Sequence, residues 1–123
     1  MNLQTYVEDL QLQKLLKGRG ITDLNPLQIQ SVQAGLFFHR NVMVSAPSGS
    51  GKTLIGTLAV GNTLFMDLGC AVYLVPYKAL AVQKEEEFTE AFEPFGLNAK
   101  AVTGDTEFED ANLAEVNLLI STY

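Results

Sequence analysis

Ala46-Pro47-Ser48-Gly49-Ser50-Gly51-Lys52-Thr53 follows an apolar, β-branched run, Asn41 to Ala46, and precedes a long helical pattern that starts near Lys52. A strand that feeds a helix through a Gly/Ser loop ending in Lys-Thr is the setting a phosphate-binding loop requires. Gly49 and Gly51 let the backbone wrap closely, so that successive N–H groups can point at a β-phosphate. The helix beginning at Lys52 aims the positive end of its dipole at the same place. Lys52 is then positioned to bridge β- and γ-phosphates, and the Thr53 hydroxyl to ligate Mg²⁺. These two are the candidate catalytic residues, with Thr53 the candidate metal ligand. The strict pattern has glycine where this chain has Ala46, so the match is to the relaxed form. The bland alternative is an ordinary Gly/Ser turn before a helix.

Working outward, the apolar residues of Val7–Lys17 approximate a helical stripe that Gly18 and Gly20 end. Asn25-Pro26 reads as an N-cap followed by proline at the first helical position, opening a second helix towards His39. Asn41–Ala46 reads as a buried strand, and a third helix runs from Lys52 to about Met66. Strands are expected at Ala71–Val75, Ala99–Thr103 and Asn117–Ser121, with helices over Lys78–Phe92 and, briefly, near Asp110–Glu115. Strands alternating with helices imply an α/β fold with a parallel sheet covered on both faces. The expectation is one P-loop domain over 1–123: two N-terminal helices in 1–40, then the loop and strands in 41–123. The last apolar run reaches Tyr123 without a following cover, which reads as an incomplete sheet.

Composition narrows the chemistry. With 123 residues, 47% hydrophobic and 18% charged, the chain is globular and at most one domain. A single cysteine, Cys70, and a single histidine, His39, exclude an internal disulfide and a Cys/His zinc centre. Cys70 reads as a small apolar core residue. Eight basic against fourteen acidic residues give a net charge of −6. Contact with nucleic acid would therefore have to run through a local groove and backbone groups. Met1–Leu10 carries Glu8 and Asp9 and no basic apolar leader, and no apolar run is long enough to span a bilayer. The expected setting is intracellular: cytoplasmic, or nuclear in a eukaryote, without membrane contact. Lys84-Glu85-Glu86-Glu87 reads as a solvated helix face, and Phe88 and Phe92, at i and i+4, as core.

Hydrolysis at such a loop also needs a carboxylate on another strand to hold the Mg²⁺ hydration shell. Asp67 falls about four turns into the third helix and suits a solvated turn before Gly69. Asp105 belongs to a turn after a strand. The other strand ends finish in Val75-Pro76, Thr103-Gly104 and Ser121-Thr122, so no acid in this stretch fills the role.

Gln28, upstream in Leu24-Asn25-Pro26-Leu27-Gln28, has two readings. Its amide can accept from adenine N6 and donate to N7, which favours adenine over guanine. As the third helical residue after Asn25, it can equally close a capping box. With Gly20-Ile21 before it and Ala46–Thr53 after it, this segment resembles the start of a superfamily 2 helicase of the Ski2-like group. The similarity is greatest to the archaeal Hel308-type DNA helicases. That group also carries motifs matched here by Pro76-Tyr77-Lys78-Ala79-Leu80-Ala81-Val82-Gln83, Thr103-Gly104-Asp105 and Ile120-Ser121-Thr122-Tyr123.

The resemblance covers essentially the whole chain, with the motifs in order. It implies an incomplete first RecA-like domain that uses ATP and Mg²⁺, with Gln28 reading adenine. It places the family's Asp-Glu-x-His box and second RecA-like domain after Tyr123, so hydrolysis by this stretch alone is not expected. It also makes Pro76, Lys78, Ala79, Leu80, Thr103, Gly104 and Thr122 candidate contacts to the phosphates of a single or branched nucleic-acid strand. DNA is favoured over RNA. Loops at the carboxyl ends of strands in an open α/β sheet are where ligands gather. The rival readings are a Ski2-like RNA helicase and a truncated, non-hydrolysing nucleotide-binding interaction module.

Overall fold

The computed structural model describes residues 3–103 and 115–122. The chain divides into two compact units, Met1–Met66 and Asp67–Tyr123. The first holds α1 (Leu3–Tyr6), α2 (Leu10–Gly18), α3 (Pro26–Gln33), a 3₁₀ turn at Leu36–Phe38 and α4 (Lys52–Phe65). The second holds β1 (Ala71–Val75), α5 (Lys78–Phe92), a 3₁₀ turn at Glu93–Phe95, β2 (Ala99–Val102) and β3 (Leu118–Thr122).

In the first unit, α2 starts where Asp9 accepts a hydrogen bond from the Leu12 N–H at 2.9 Å, satisfying one of the open donors of a helix start. The stripe behind that cap is the core: Leu12, Leu15 and Leu16 are buried, with Leu3, Val7 and Leu24 beside them and Ile55 and Leu58 supplied by α4. Gly61 makes the α2–α4 approach possible, since a Cβ there would come within 2.5 Å of Leu12 Cδ1. Two sequence expectations fail in this unit. The helix opening at Pro26 stops at Gln33, because Gly35 takes φ 107 and the chain re-forms only as a 3₁₀ turn. Asn41–Ala46 forms no strand. Its exposure alternates, and Met43 is 95% exposed. A strand exists only where a neighbour takes its ladder bonds, and every regular element described in this unit is helical.

The second unit is a three-stranded sheet in the order β1-β3-β2, parallel throughout. β1 and α5 take the bounds the sequence predicts, β2 ends one residue early and β3 is shifted by one residue at both ends. Asn98 and Asn117 tie the starts of β2 and β3, the Asn98 N–H donating to Asn117 Oδ1 at 2.9 Å and the Asn117 N–H to the Asn98 carbonyl at 3.0 Å. α5 covers one face. Phe88 and Phe92 are buried as expected, and Phe88 meets Tyr73 of β1 edge-on, with centroids 5.0 Å apart. On the opposite face Val72 and Leu74 are 61% and 58% exposed, so the second cover expected for a parallel sheet does not come from this unit's own helix. Glu85 departs from the solvated reading of its helix face: its carboxylate accepts the Ala101 N–H on the side of β2 away from β3. Lys84 and Glu87 pair at 2.9 Å. Cys70 precedes β1 as expected but is exposed rather than in the core, its thiol donating to the Val116 carbonyl at 3.5 Å. Gly104, Asp105, Tyr123 and most of the short helix expected near Asp110–Glu115 lie outside the described residues.

Candidate functional site

The loop from Ala46 to Thr53 turns back on itself because Gly49 and Gly51 adopt φ 80 and 89, the left-handed region that side chains disfavour. Gly51 is also the N-cap of α4 and brings no side chain to the helix start. The N–H groups of the first turn therefore take no partner from the capping side chain. Ser48, Gly49, Gly51, Lys52 and Thr53 line a cavity of about 540 Å³, in the range of small-ligand sites. The Lys52 ammonium crosses the loop and donates to the Ala46 carbonyl at 2.8 Å. Ser50 Oγ donates to the Pro47 carbonyl at 2.5 Å. Of the eight predicted loop residues, five thus form the wall, while Ala46 and Pro47 anchor Lys52 and Ser50.

Gln28 and Asn25 stand behind this loop. The capping box is present: Asn25 Oδ1 accepts the Gln28 N–H at 2.9 Å, and Gln28 Oε1 accepts the Asn25 N–H at 2.8 Å. Each amide has a second use. Gln28 Nε2 donates to the Gly51 carbonyl at 3.3 Å, and Asn25 Nδ2 donates to the Ser50 carbonyl at 3.0 Å. Gln28 is 5% exposed. By the inventory of an amide, it keeps one N–H and one oxygen lone pair beyond these bonds, the set a bidentate adenine contact uses. The two amides press close enough that a Cβ on Gly51 would lie 2.7 Å from Gln28 Nε2 and 2.9 Å from Asn25 Nδ2. Sequence reasoning read Asn25 only as a helix cap. Its bond to Ser50 spans 25 positions and has no local signature.

In the second unit, the parallel register aligns Val75 with Thr122 and Val102 with Ser121. Pro76, Thr103 and Thr122 therefore gather at the carboxyl end of one sheet. Lys78, Ala79 and Leu80 form the first turn of α5, which follows Pro76 directly. Pro76, Lys78 and Ala79 are exposed, whereas Leu80, Thr103 and Thr122 are partly covered. Of the predicted strand-end contacts, only Gly104 lies outside the described residues.

Among the described residues no cluster of three or more His, Cys, Asp or Glu could hold a metal ion. No described helix is long and apolar enough to cross a membrane. A second cavity, of about 440 Å³, is lined by Tyr6, Val7, Leu12, Val32 and Phe37 among others. It contains none of the predicted site residues.

A three-stranded parallel sheet with helices, sharing its fold with solved helicases, is the fold of a RecA-like helicase domain, here as a fragment. The DEAD/DEAH box helicase family model matches residues 25–123, and the chain belongs to that family. It is 40% identical over 122 residues to the ATP-dependent DNA helicase Hel308 of Pyrococcus horikoshii, covering 99% of this chain and 17% of that protein. The Hel308 of Thermococcus kodakarensis is 38% identical over 93% of this chain and 10% of its own length. The chain thus spans less than a fifth of the curated relatives it matches. The DUF1998 helicase MrfA bound to DNA and AMPPNP superimposes with a TM-score of 0.80 at 27% identity, over 93% of this chain and 17% of that one. A hypothetical ATP-dependent RNA helicase from Sulfolobus tokodaii shares the fold, with a TM-score of 0.70 at 17% identity, over 91% of this chain and 33% of that one.

Proposed function

We propose that the chain is the start of the first RecA-like domain of an ATP-dependent superfamily 2 DNA helicase. In this reading 1–40 carries the adenine-reading Gln28 and 41–123 carries the phosphate loop and the strand-end contacts to nucleic acid. The observation that carries it is the loop itself: two left-handed glycines wrap the start of α4 around a cavity that Lys52 and Thr53 line. Lys52 would leave the Ala46 carbonyl, a neutral partner, for the stronger charge-assisted bond to a phosphate. Thr53 offers one hard hydroxyl oxygen in that cavity. That suits Mg²⁺, which keeps several waters and takes further oxygens from the phosphates. Gln28 would hold the adenine edge, and the residues at the carboxyl end of the sheet would grip the phosphates of a single or branched strand. ATP binding and hydrolysis supply the free energy for closure and reopening against a second RecA-like domain. An intracellular setting follows from that substrate.

The test uses the full-length protein that carries this chain. Its ATP hydrolysis should rise with added single-stranded DNA, it should separate a forked duplex, and Lys52→Ala should abolish both. Stimulation by RNA alone would replace DNA as the substrate. Nucleotide binding without hydrolysis would mark the chain as an interaction module, and binding undiminished by Lys52→Ala would refute the phosphate-loop assignment.

A further inference from the structure

We infer that Asn25 is a positioning residue for the phosphate loop, acting from behind it through the Ser50 carbonyl. The geometry of the peptide unit dictates this role. In a planar trans peptide the C=O and the N–H that follows it point in opposite directions, and no peptide bond described here is cis. The Ser50 carbonyl shares its plane with the Gly51 N–H, and the Gly51 carbonyl with the Lys52 N–H. Asn25 Nδ2 holds the first carbonyl at 3.0 Å and Gln28 Nε2 the second at 3.3 Å. Each bond therefore turns one N–H away from α3, towards the loop's other side. The two amides fix two consecutive donors of the cradle without touching what the cradle holds.

Asn25 can do this because its amide divides its work. The oxygen caps α3 through the Gln28 N–H, and the nitrogen fastens the loop. Gly51 completes the arrangement, since any Cβ there would displace both amide nitrogens. The inference rests on the nucleotide-binding reading given above and adds a division of labour to it. Asn25 sets the grip on phosphate, whatever the base, whereas Gln28 adds the choice of base to its own hold on the Gly51 carbonyl.

Asn25→Ser separates the two ends of the amide. Serine ranks with asparagine as an N-cap, so the start of α3 is kept, but its hydroxyl is too short to reach the Ser50 carbonyl. Asn25→Asp is the isosteric control, which caps equally well and replaces the donor with an oxygen facing that carbonyl. Binding of ATP and of GTP to the full-length protein is measured by calorimetry beside Lys52→Ala, and thermal stability is read on the same samples. The expected result is that both Asn25 variants keep the wild-type melting temperature. Both lose ATP and GTP affinity by the same factor, about tenfold, as befits one lost hydrogen bond and a loosened donor. Wild-type affinity in both variants, with Lys52→Ala still defective, would overturn the inference and leave the phosphate-loop reading intact. A changed ATP-to-GTP ratio would overturn it too, because Asn25 would then act on the base through Gln28. Lowered stability in both variants with nucleotide affinity unchanged would overturn it as well, since the bond to the Ser50 carbonyl would then serve the fold and not the loop's donors. A wild-type protein that binds neither nucleotide would overturn the inference together with the reading beneath it.

Discussion

The helices that open at Lys52 and at Lys78 look alike in sequence. Each follows an apolar run and a proline, and each places lysine at its first position. Their starts are built differently. Gly51 caps α4 at φ 89, where the chain has reversed around a cavity, and two amides fasten it from behind. Tyr77 caps α5 at φ −153, fully extended, with the residue 58% exposed and no side-chain hydrogen bond to the helix. A helix dipole and a lysine are thus shared by both, and neither makes a cradle. The cradle needs a left-handed turn that only glycine adopts cheaply, and a scaffold that keeps the turned peptides aimed. The start of α5 has neither the reversed turn nor a fastening amide.

The largest effect expected from breaking this contrast is that of Gly51→Ala. It forces a side chain into a left-handed backbone and into both amides. Nucleotide binding measured by calorimetry should fall by at least about a hundredfold, since misaimed donors and a displaced amide pair act together. Gly49→Ala sharpens the point, because Gly49 has a similar φ and nothing within 4 Å of the added methyl. It should cost only the backbone strain, roughly 1 kcal/mol, with a correspondingly smaller loss of affinity. Equal damage from the two would mean that the amides behind Gly51 contribute nothing.

Gln28→Ala comes next. It should lower the ATP-to-GTP preference and, by removing half of the capping box, reduce stability in denaturant unfolding by about 1 kcal/mol. Loss of stability with no change in preference would leave Gln28 as a cap alone. Lys78→Ala is the mildest on nucleotide binding, with no expected change in ATP affinity. On single-stranded DNA it should reduce the salt slope of log K by about 1. A fall in ATP affinity instead would make the two helix starts more alike in function than in form.

Much of this was legible in the chain. β1 and α5 have sharp bounds because Pro76 and the Tyr77-Lys78 junction punctuate them, and Phe88 and Phe92 announce a buried stripe. The Asn25-Pro26 start and the loop glycines could be read for similar reasons, as each is a local conformational demand. Where the reading failed, the deciding partner was remote. Asn41–Ala46 has a strand's composition, but pairing is a property of two segments. Gly35 was one glycine among ten until its φ showed that it ended a helix. The fastening of Ser50 by Asn25 belongs to the same class, since an N-cap asparagine and one that also holds a distant carbonyl are written with the same letter.

The Glu85 carboxylate on β2 has a consequence for how this sheet can grow. An unpaired strand edge is a template, and its open N–H groups would register any extended chain that drifts alongside. By accepting the Ala101 N–H, Glu85 sets a negative charge and no donor where an incoming strand would seek its first bond. Among the described residues the order is β1-β3-β2, so this carboxylate guards one bond of the β2 margin, whereas no such acceptor is described on the margin formed by β1.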